Sequence, residues 1–275
     1  METAAPFELD ALRRDWIDGV SGEAFYRQVL NARTSGKSAC GAVIIREDDP
    51  IAFAVEFFAA VSLRRPVVLA NPQWGSREQA QFDELMAQGE PAAGAILIPT
   101  GGTSGGVKLA IHDWASLCAS ARAVQDFLGG DPVDACCVLP LHHVSGLMQL
   151  LRAFVSGGRI RFDARATAGR CLSLVPTQLQ RRMRTRAGIR QLTTARVVFV
   201  GGAAMPEAVR QQARELRLPV VPVYGMTETA AMIAAIPNRD FLANADSGAV
   251  LLGDTQVSID PDGSIRQEHY VLHAY

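Results

Sequence analysis

The sequence has no long apolar run and no excess of charge of either sign. No window reaches about 18 uninterrupted apolar residues, and Met1–Arg14 carries three acidic residues where a signal peptide would have an apolar core. Lys and Arg number 27 against 28 Asp and Glu, which gives a formal net charge of −1. This balance argues against nucleic acid or an anionic membrane as a partner. We expect a soluble, cytoplasmic protein without a targeting segment.

Cysteine is also scarce, and its spacing fits neither a disulfide framework nor a metal site. The chain has five cysteines, an odd number without CxxC spacing: Cys40, Cys118, Cys136, Cys137 and Cys171. Such usage is typical of reduced thiols in a cytoplasm. We expect them to be buried as small apolar residues.

Apolar runs that alternate with helical patterns predict an α/β fold. The 48% apolar composition supplies a sizeable core. Gly41–Ile45 and Pro66–Ala70 read as buried strands on either side of an apolar helix, Ile51–Leu63, with Pro50 in its first turn. This spacing predicts a parallel crossover unit. Further strands are predicted at Ala135–Pro140, Arg159–Phe162, Leu172–Val175, Ala195–Val200 and Val220–Val223, and further helices at Ser76–Gln88, Ser145–Val155, Gln178–Arg186 and Pro206–Glu215.

The pattern changes after Gly248. Ala249–Ile259 and Ser264–Leu272 alternate around the turn Asp260–Gly263 as in a β-hairpin. We therefore predict three parts: a first, shortened α/β subdomain (1–94), an α/β subdomain for nucleotide and acyl binding (95–247), and the start of a β subdomain (248–275).

A glycine-rich segment within Ile98–His112 is the first candidate for chemistry. Thr100–Lys108 holds four glycines, three hydroxyls and one lysine, directly after the predicted strand Ala95–Ile98. The helix Asp113–Leu128, capped by Asp113, follows, so the prediction is strand, glycine loop, helix. Backbone N–H groups, hydroxyls and a cation can converge on a polyphosphate in such a loop. The alternative is a flexible surface turn.

Two common nucleotide motifs do not fit this loop. Gly101 and Gly106 have Walker A spacing, but Val107-Lys108-Leu109 replaces Gly-Lys-Ser/Thr. The spacing also fails the GxGxxG dinucleotide fingerprint. The earlier Ser35–Ser38 lacks the first Walker glycine, because Asn31 stands there.

A second segment, Leu139–Leu147, places His142, His143 and Ser145 between an apolar strand and a helix. A histidine here is more often a satisfied core or capping residue than a ligand. Zinc binding with Cys136 and Cys137 is disfavoured, because adjacent cysteines rarely ligate one ion together. A Ser-His hydrolase is disfavoured because no GxSxG elbow is present.

Two more polar segments end successive predicted strands. Val200–Ala204 offers small residues for a flat ligand, and Val223–Thr229 offers a ring, hydroxyls and a carboxylate. Together they predict an adenine slot and a metal-and-phosphate ligand set. The alternatives are tight helix–strand packing and ordinary loop chemistry. The slot comprises Gly202, Ala203 and Tyr224, and the ligand set Thr227 and Glu228.

One basic cluster lies between Arg181 and Arg190. A solvated helix face is its simplest interpretation. The functional alternative is a docking surface for an anionic ligand such as CoA, since no interleaved aromatics point to nucleic acid.

In this order, the motifs resemble those of the adenylate-forming acyl-CoA synthetase superfamily. Thr100–Lys108 resembles its phosphate loop, with Lys108 at the second lysine and Gly106-Val107 where Lys-Pro is usual. Leu139–Leu147 is similar to the motif whose histidine, here His143, lies between acyl pocket and nucleotide. Gly201–Ala204 and Tyr224–Glu228 resemble the adenine segment and the Tyr-Gly-x-Thr-Glu motif.

More narrowly, Ile98–Gly105, Val175–Gln180 and Tyr224–Ala230 resemble the 2-succinylbenzoate–CoA ligases of menaquinone and phylloquinone synthesis. The implied fold is a large N-terminal domain with layered β-sheets, flanking helices and a small β region near its end. The implied ligands are ATP, Mg²⁺, coenzyme A and a small-molecule carboxylic acid. The resemblance leaves open whether the chain forms a homodimer.

The resemblance also implies a mechanism. The acid's carboxylate attacks the α-phosphorus of ATP to give an acyl-adenylate and pyrophosphate, and the CoA thiol then displaces AMP. His143, Thr227, Glu228 and Lys108 would be catalytic, with Glu228 on Mg²⁺ and Thr227 on the α-phosphate. The nucleotide would contact Thr100, Gly101, Gly102, Thr103, Ser104, Gly105, Gly202, Ala203, Tyr224, Gly225 and Met226, and the acyl group His143, Ser145 and Gly225.

Members of the superfamily continue into a Thr-Gly-Asp motif, a hinge and a mobile domain with a lysine, and none of these occurs up to Tyr275. Gly253-Asp254 precedes the predicted hairpin turn and is not a substitute. Two alternatives therefore remain: an adenylating enzyme for another aryl or fatty acid, and a non-catalytic nucleotide-binding module.

Overall fold

The computed structural model describes residues 7–34, 41–101, 106–245, 248–259 and 265–268. Its first sheet has four strands in the order β1-β2-β3-β4. β1, β2 and β3 run parallel, and β4 is antiparallel to β3. The strands are β1 (Val43–Ile45), β2 (Val67–Leu69), β3 (Ile96–Gly101) and β4 (Val107–His112), and the helices before and between them are α1 (Gly22–Thr34), α2 (Pro50–Ser62) and α3 (Ser76–Ala87).

The predicted crossover unit is confirmed in β1, α2 and β2. Pro50 occupies the first turn of α2, and the Asp49 carboxylate accepts hydrogen bonds from Ile51 N at 3.0 Å and Ala52 N at 2.8 Å. Proline is suited to this position because its missing N–H would have no partner there. The helix is buried on most sides, as its nearly continuous apolar sequence indicates.

The prediction of strand, glycine loop and helix is wrong at its last step. β4 follows the loop and is antiparallel to β3, with Ile96 opposite His112 at one end and Gly101 opposite Val107 at the other. The glycine segment therefore joins the two strands of a hairpin. Residues 102–105 lie outside the described ranges. The run from Val107 to His112 forms a strand because its apolar and β-branched residues pair with β3 and cover a core.

Helix α4 (Trp114–Phe127) begins only after β4, at the predicted cap. The Asp113 carboxylate accepts a hydrogen bond from Ser116 N at 2.7 Å, and Asp113 N donates to Ser116 Oγ at 3.1 Å. This reciprocal arrangement satisfies two N–H groups at the start of the helix.

The second sheet has seven strands in the order β11-β10-β9-β8-β7-β5-β6. The five strands from β9 to β6 run parallel, while β10 is antiparallel to β9 and β11 to β10. Its strands are β5 (Ala135–Cys136), β6 (Ile160–Arg161), β7 (Cys171–Leu174), β8 (Val197–Val200), β9 (Val220–Met226), β10 (Ala231–Ala235) and β11 (Val250–Leu251), with helices α5 (Val144–Val155), α6 (Pro176–Met183), α7 (Arg186–Thr194), α8 (Glu207–Glu215) and α9 (Asn238–Ala243).

The predicted α/β alternation is confirmed here, with one strand missed. Each of the five predicted apolar runs contains part of one parallel strand, from β5 to β9. Strand β10 was not predicted, since three of its five residues are alanine, a strong helix former.

One hydrophobic core connects the two sheets. It includes Ile96 and Ile98 of β3 together with Leu147 and Leu151 of α5, all at most 1% exposed. An aromatic group that includes Trp16, Phe58 and Phe154 packs into the same core. This shared packing fixes the sheets side by side and places their polar strand ends next to each other.

The outer edge of β6 is covered by the N-terminal segment. Ile160 N donates to Trp16 O at 2.7 Å, and Asp18 N donates to Ile160 O at 2.9 Å. The Asp18 carboxylate also pairs with Arg159 at 3.0 Å and Arg170 at 2.7 Å. Backbone pairing and ion pairs therefore hold this segment on the sheet.

The C-terminal end of α5 is held by Arg14. Its guanidinium donates to Gly157 O at 2.7 Å and Gly158 O at 2.6 Å, and it reaches Phe154 O at 3.3 Å and Ala153 O at 3.5 Å. A cation here satisfies carbonyls that have no partner within the helix.

The predicted C-terminal hairpin is confirmed in its paired part. β12 (Gln256–Ile259) and β13 (Ile265–Glu268) are antiparallel, and the turn between them lies outside the described ranges. Val250 and Leu251, predicted to belong to this hairpin, instead extend the seven-stranded sheet as β11. Both large sheets cross the predicted boundaries at residues 94 and 247, and the three-part division stays a prediction.

The cysteines are buried free thiols wherever the structure describes them. Cys118, Cys136, Cys137 and Cys171 form no disulfide, and Cys40 lies outside the described ranges. Burial raises the pKa of Cys118 to about 12 and that of Cys171 to about 11. Among the described helices, none combines the length and apolar character needed to span a membrane.

Candidate functional site

A cavity of about 410 Å³ lies where the two sheets meet. Residues at and beyond the carboxyl ends of β7, β8 and β9 line one side, from Leu174–Val175, Gly201–Gly202 and Gly225–Glu228. Thr100 of β3, three residues of α5, Leu139, and Ala231 and Met232 of β10 also line it. Ligands of parallel α/β sheets commonly bind at the carboxyl ends of the strands.

Seven of the predicted site residues line this first cavity. They come from four separate parts of the sequence, so the fold brings together motifs that were predicted independently. These residues are Thr100, Ser145, Gly202, Gly225, Met226, Thr227 and Glu228.

Two glycines let the backbone approach this cavity closely. A Cβ atom on Gly225 would lie 1.7 Å from Ala231 O, so a side chain cannot be added without moving β10. Gly202 has a φ of +78°, a conformation that other residues rarely adopt. The cavity therefore keeps a flat backbone surface, as an adenine slot would require.

The turn that carries Thr227 and Glu228 is a strained one. Thr227–Thr229 forms a 3-10 turn, and Ala230 and Ala231 follow with φ values of 52° and 82°. Positive φ is uncommon outside glycine and costs free energy unless contacts impose it. The Thr229 hydroxyl, 1% exposed, lies 2.6 Å from Ala231 O and accepts from Met226 N at 2.9 Å.

Arg152 is a site residue that the sequence analysis missed. It lies on α5, 3% exposed, and lines the first cavity. Ser145, Gln149 and Arg152 are spaced by four and three residues, which puts them on one face of the helix. In the sequence it stands out only as the single arginine of an apolar helix. An arginine on the solvent-facing side of the helix would give the same pattern.

The guanidinium of Arg152 has buried N–H groups without partners. Nε and Nη2 make no hydrogen bond, and no ion pair among the described residues involves Arg152. Burial lowers its pKa to about 10, so it stays a cation at neutral pH. An unpaired buried cation is costly. Arg152 therefore provides strong, unused hydrogen-bonding capacity for an anion.

A second cavity of about 300 Å³ adjoins the first at Thr100, which lines both. His143 is on its wall, with Gly106 and Val107 of the hairpin and residues of α3 such as Gln81. The Gln81 Oε1 atom accepts a hydrogen bond from Val107 N at 3.2 Å. Helix α3 thus holds the end of the glycine segment.

Burial disfavours the charged form of both histidines. Burial lowers the pKa of His143, and burial with the nearby His143 lowers that of His142 to about 4. Their ring centroids are 4.5 Å apart. His142 is 5% exposed, and its Nε2 has no hydrogen-bond partner.

Four predicted site residues with described positions line neither cavity. Lys108 is exposed on β4, opposite Thr100 in the hairpin, and Gly101 ends β3. Tyr224 is 43% exposed and Ala203 is exposed. Gly102, Thr103, Ser104 and Gly105 lie outside the described ranges. The roles predicted for these eight residues, like those predicted for the residues that line the cavities, stay predictions.

The donor set fits a magnesium ion held mainly by a substrate. The part of the chain that the structure describes has no group of three His, Cys, Asp or Glu side chains that could hold a metal alone. Glu228 is the carboxylate on the wall of the first cavity. Mg²⁺ is usually bound by one or two carboxylates together with substrate phosphates and water, so Glu228 would suffice.

The basic cluster lies away from both cavities. Arg181, Arg184, Arg186 and Arg190 are exposed on α6, α7 and the link between them, and Arg182 donates to Gln191 Oε1 at 2.9 Å. None of these arginines lines either cavity. The predicted CoA docking surface stays untested.

Comparison with known proteins supplies the family. Residues 36–269 match the model of the family described as AMP-binding enzyme. The chain belongs to the AMP-binding enzymes. This agrees with the predicted superfamily.

Curated relatives of this AMP-binding enzyme include 2-succinylbenzoate–CoA ligases. That of Enterococcus faecalis is 29% identical over 201 residues, which cover 69% of this chain and 41% of the relative. That of Escherichia coli K12 is 34% identical over 155 residues, 54% of this chain and 33% of the relative. The matched parts span less than half the length of these relatives.

Solved structures confirm the predicted fold class. An E. coli MenE variant with bound OSB-AMS is 25% identical, with a TM-score of 0.70 over 91% of this chain and 65% of that one. Bacillus subtilis o-succinylbenzoate CoA synthetase, in complex with OSB-AMP, is 20% identical, with a TM-score of 0.72 over 93% and 64%. The N-terminal domain of FACL13 from Mycobacterium tuberculosis is 19% identical, with a TM-score of 0.73 over 90% and 79%.

Proposed function

We propose that this AMP-binding enzyme is the adenylating part of an acid–CoA ligase, and that its acid carries a second carboxylate, as 2-succinylbenzoate does. In the first step a carboxylate oxygen of the acid bonds to the α-phosphorus of ATP and pyrophosphate leaves. In the second step the thiol sulfur of CoA bonds to the acyl carbon and AMP leaves. The likeness to curated 2-succinylbenzoate–CoA ligases supports this reaction class.

The first cavity suits a nucleotide next to an acyl group. Backbone at Gly202 and Gly225 offers a flat surface, while Thr227 and Glu228 offer a hydroxyl and a carboxylate at one end. In this proposal Glu228 binds Mg²⁺ and Thr227 the α-phosphate. ATP supplies the activated phosphoryl group, and the chain contributes position and electrostatic stabilisation.

The phosphates would lie along the hairpin. Thr100 lines both cavities, and its partner Lys108 directs its side chain from the same face because residues paired across antiparallel strands share a face. His143 and Ser145, at the start of α5, would then border the acyl group between nucleotide and the second cavity.

Arg152 is the observation that carries the choice of acid. A neutral acyl chain would leave its guanidinium unpaired after binding, whereas a second carboxylate would form charge-assisted hydrogen bonds with it. Adenylation consumes the charge of the reacting carboxylate only, so the other stays anionic and paired. An aryl or alkyl acid with two carboxylates therefore fits this cavity better than benzoate or a fatty acid.

The test is ATP–pyrophosphate exchange with Mg²⁺ and a panel of acids: 2-succinylbenzoate, benzoate, and a fatty acid of similar length. We expect exchange with 2-succinylbenzoate at least tenfold above that with the monoacids, the ratio that about 1.4 kcal/mol of selective binding gives. Equal rates of pyrophosphate exchange with benzoate and with 2-succinylbenzoate would reject the proposal that the acid carries a second carboxylate. Tight MgATP binding without exchange for any acid would favour a nucleotide-binding module.

A further inference from the structure

The turn with Thr227 and Glu228 is attached to the strand that follows the glycine segment. His112, the last residue of β4, is 4% exposed, and its Nε2 lies 2.8 Å from Thr227 O. Since a carbonyl oxygen only accepts, the ring nitrogen is the donor. The bond crosses from the first sheet to the turn beside the second sheet.

A second buried donor holds the other end of the same turn. Ser120 of α4, also 4% exposed, donates its hydroxyl to Ala230 O at 2.8 Å. Ala230 N in turn donates to Thr227 O at 3.1 Å. His112 and Ser120 therefore bind the carbonyls at both ends of the segment that contains Glu228.

Strain makes these two contacts consequential. Ala230 and Ala231 have positive φ values, a conformation that alanine leaves unless surrounding bonds impose it. Without buried donors the turn would relax, and the side chains of Thr227 and Glu228 would move relative to the hairpin. A displacement of about 1 Å at a catalytic group is enough to cost on the order of 100-fold in rate.

We propose that His112, assisted by Ser120, is a positioning residue that fixes the Thr227 hydroxyl and the Glu228 carboxylate relative to the phosphate hairpin. Lys108 and His112 lie on the same strand, so the bond from His112 ties the turn directly to the strand that carries Lys108. The role assigned to Glu228 rests on the proposed function. His112 itself lines neither cavity and acts only through the turn.

Two variants of the full chain separate this role from simple core packing. His112→Leu fills the space but removes the donor, while His112→Gln keeps an N–H donor near the position of Nε2. In pyrophosphate exchange we expect His112→Leu to raise the Mg²⁺ concentration for half-maximal rate and to lower kcat on the order of 10- to 100-fold. The KM for the acid should change little, and His112→Gln should restore most of the loss.

A double-mutant cycle shows whether the effect passes through Glu228. In a Glu228→Gln background, His112→Leu should cause at most about a twofold further loss, because the group that it positions is already gone. If the fold-losses in rate of the two single variants multiply fully in the double variant, the proposal is overturned. Equal losses for His112→Leu and His112→Gln would also overturn it.

Backbone amide exchange decides the point even if the proposed function fails. Absence of pyrophosphate exchange by the wild-type chain would reject the adenylation, not the attachment of the turn. Hydrogen–deuterium exchange at the backbone amides of residues 226–232 should be faster in His112→Leu than in the wild-type chain. In His112→Gln it should be near the wild-type rate. Unchanged protection in both variants would overturn the positioning role.

Discussion

Thr100 and Lys108 are paired across β3 and β4, yet only Thr100 lines the cavities, and Lys108 is exposed to solvent. An exposed charge contributes little to binding in water, roughly 1 kcal/mol or less. Lys108→Met should therefore raise the KM for MgATP less than about fivefold, whereas Thr100→Val should raise it more. Steady-state pyrophosphate exchange measures both, with Lys108→Arg as the charge-keeping control. A larger effect for Lys108→Met would mean that the lysine closes onto the phosphates.

Replacing Arg152 should change stability and selectivity in opposite directions. Arg152→Met removes an unpaired buried cation, so the free energy of unfolding should stay equal or rise by about 1 kcal/mol or more. Exchange with 2-succinylbenzoate should fall on the order of 10- to 100-fold, and exchange with benzoate should not. Urea unfolding and acid profiling test both parts, and Arg152→Lys provides a variant that keeps charge without the planar fork. Parallel losses with both acids would contradict the assignment.

The lowered pKa of His142 predicts that the folded chain loses stability in weak acid. Its folded pKa of about 4 lies below the unfolded value of 6.5, so the unfolded chain binds this proton first as the pH falls. Stability from this group is present above pH 6.5 and is lost towards pH 4, by up to about 3 kcal/mol. Urea unfolding of wild type and His142→Phe between pH 7 and 4.5 tests the effect, because groups other than the neighbouring His143 contribute equally to both. Identical pH slopes would refute it.

Arg14 should stabilise the fold although it is far from both cavities. Arg14→Met removes the hydrogen bonds from the guanidinium to four carbonyls near the end of α5, at a cost of about 1–3 kcal/mol. Chemical denaturation should show a lower midpoint with an unchanged slope. Arg14→Lys should recover only part of the loss, since one ammonium cannot reach all the carbonyls. Full recovery would indicate that charge alone matters.

Gly225→Ala should disrupt the site without preventing the rest of the chain from folding. The added Cβ would overlap Ala231 O, and relief requires movement of the turn or of β10. MgATP affinity should fall at least tenfold, the equivalent of about 1.4 kcal/mol. Gly89→Ala is the matched control, because a Cβ there meets no atom within 4 Å. Calorimetric titration of both variants gives the comparison, and equal affinities would contradict the close approach seen at Gly225.

The sequence predicted the convergence of those candidate residues whose position follows from strand order. Gly202 and Thr227 each follow a buried parallel strand, and the ends of such strands meet at one edge of a sheet. Their arrival in one cavity needed no knowledge of side-chain packing. The roles assigned to Tyr224 and Ala203 depend on which way side chains point, and that stays a prediction.

The parts that the sequence could not give depend on tertiary contacts. Arg152 faces a cavity only because α5 packs between the sheets, and nothing local distinguishes it from a surface arginine. β4 and β10 become strands through pairing with β3 and β9, which overrides weak local preference. His112 binds Thr227, 115 residues away, and no motif in the sequence marks that pair.

The pairing of Trp16–Asp18 with β6 has a consequence for the behaviour of the chain in concentrated solution. An uncovered outer strand presents free N–H and C=O groups, which recruit strands from other molecules and promote aggregation. This segment occupies those groups, and Asp18 neutralises arginines beside them. Loss of this segment would expose the N–H and C=O groups of β6 and also withdraw Trp16 from the core, so the shortened chain would be less stable and would self-associate through β6.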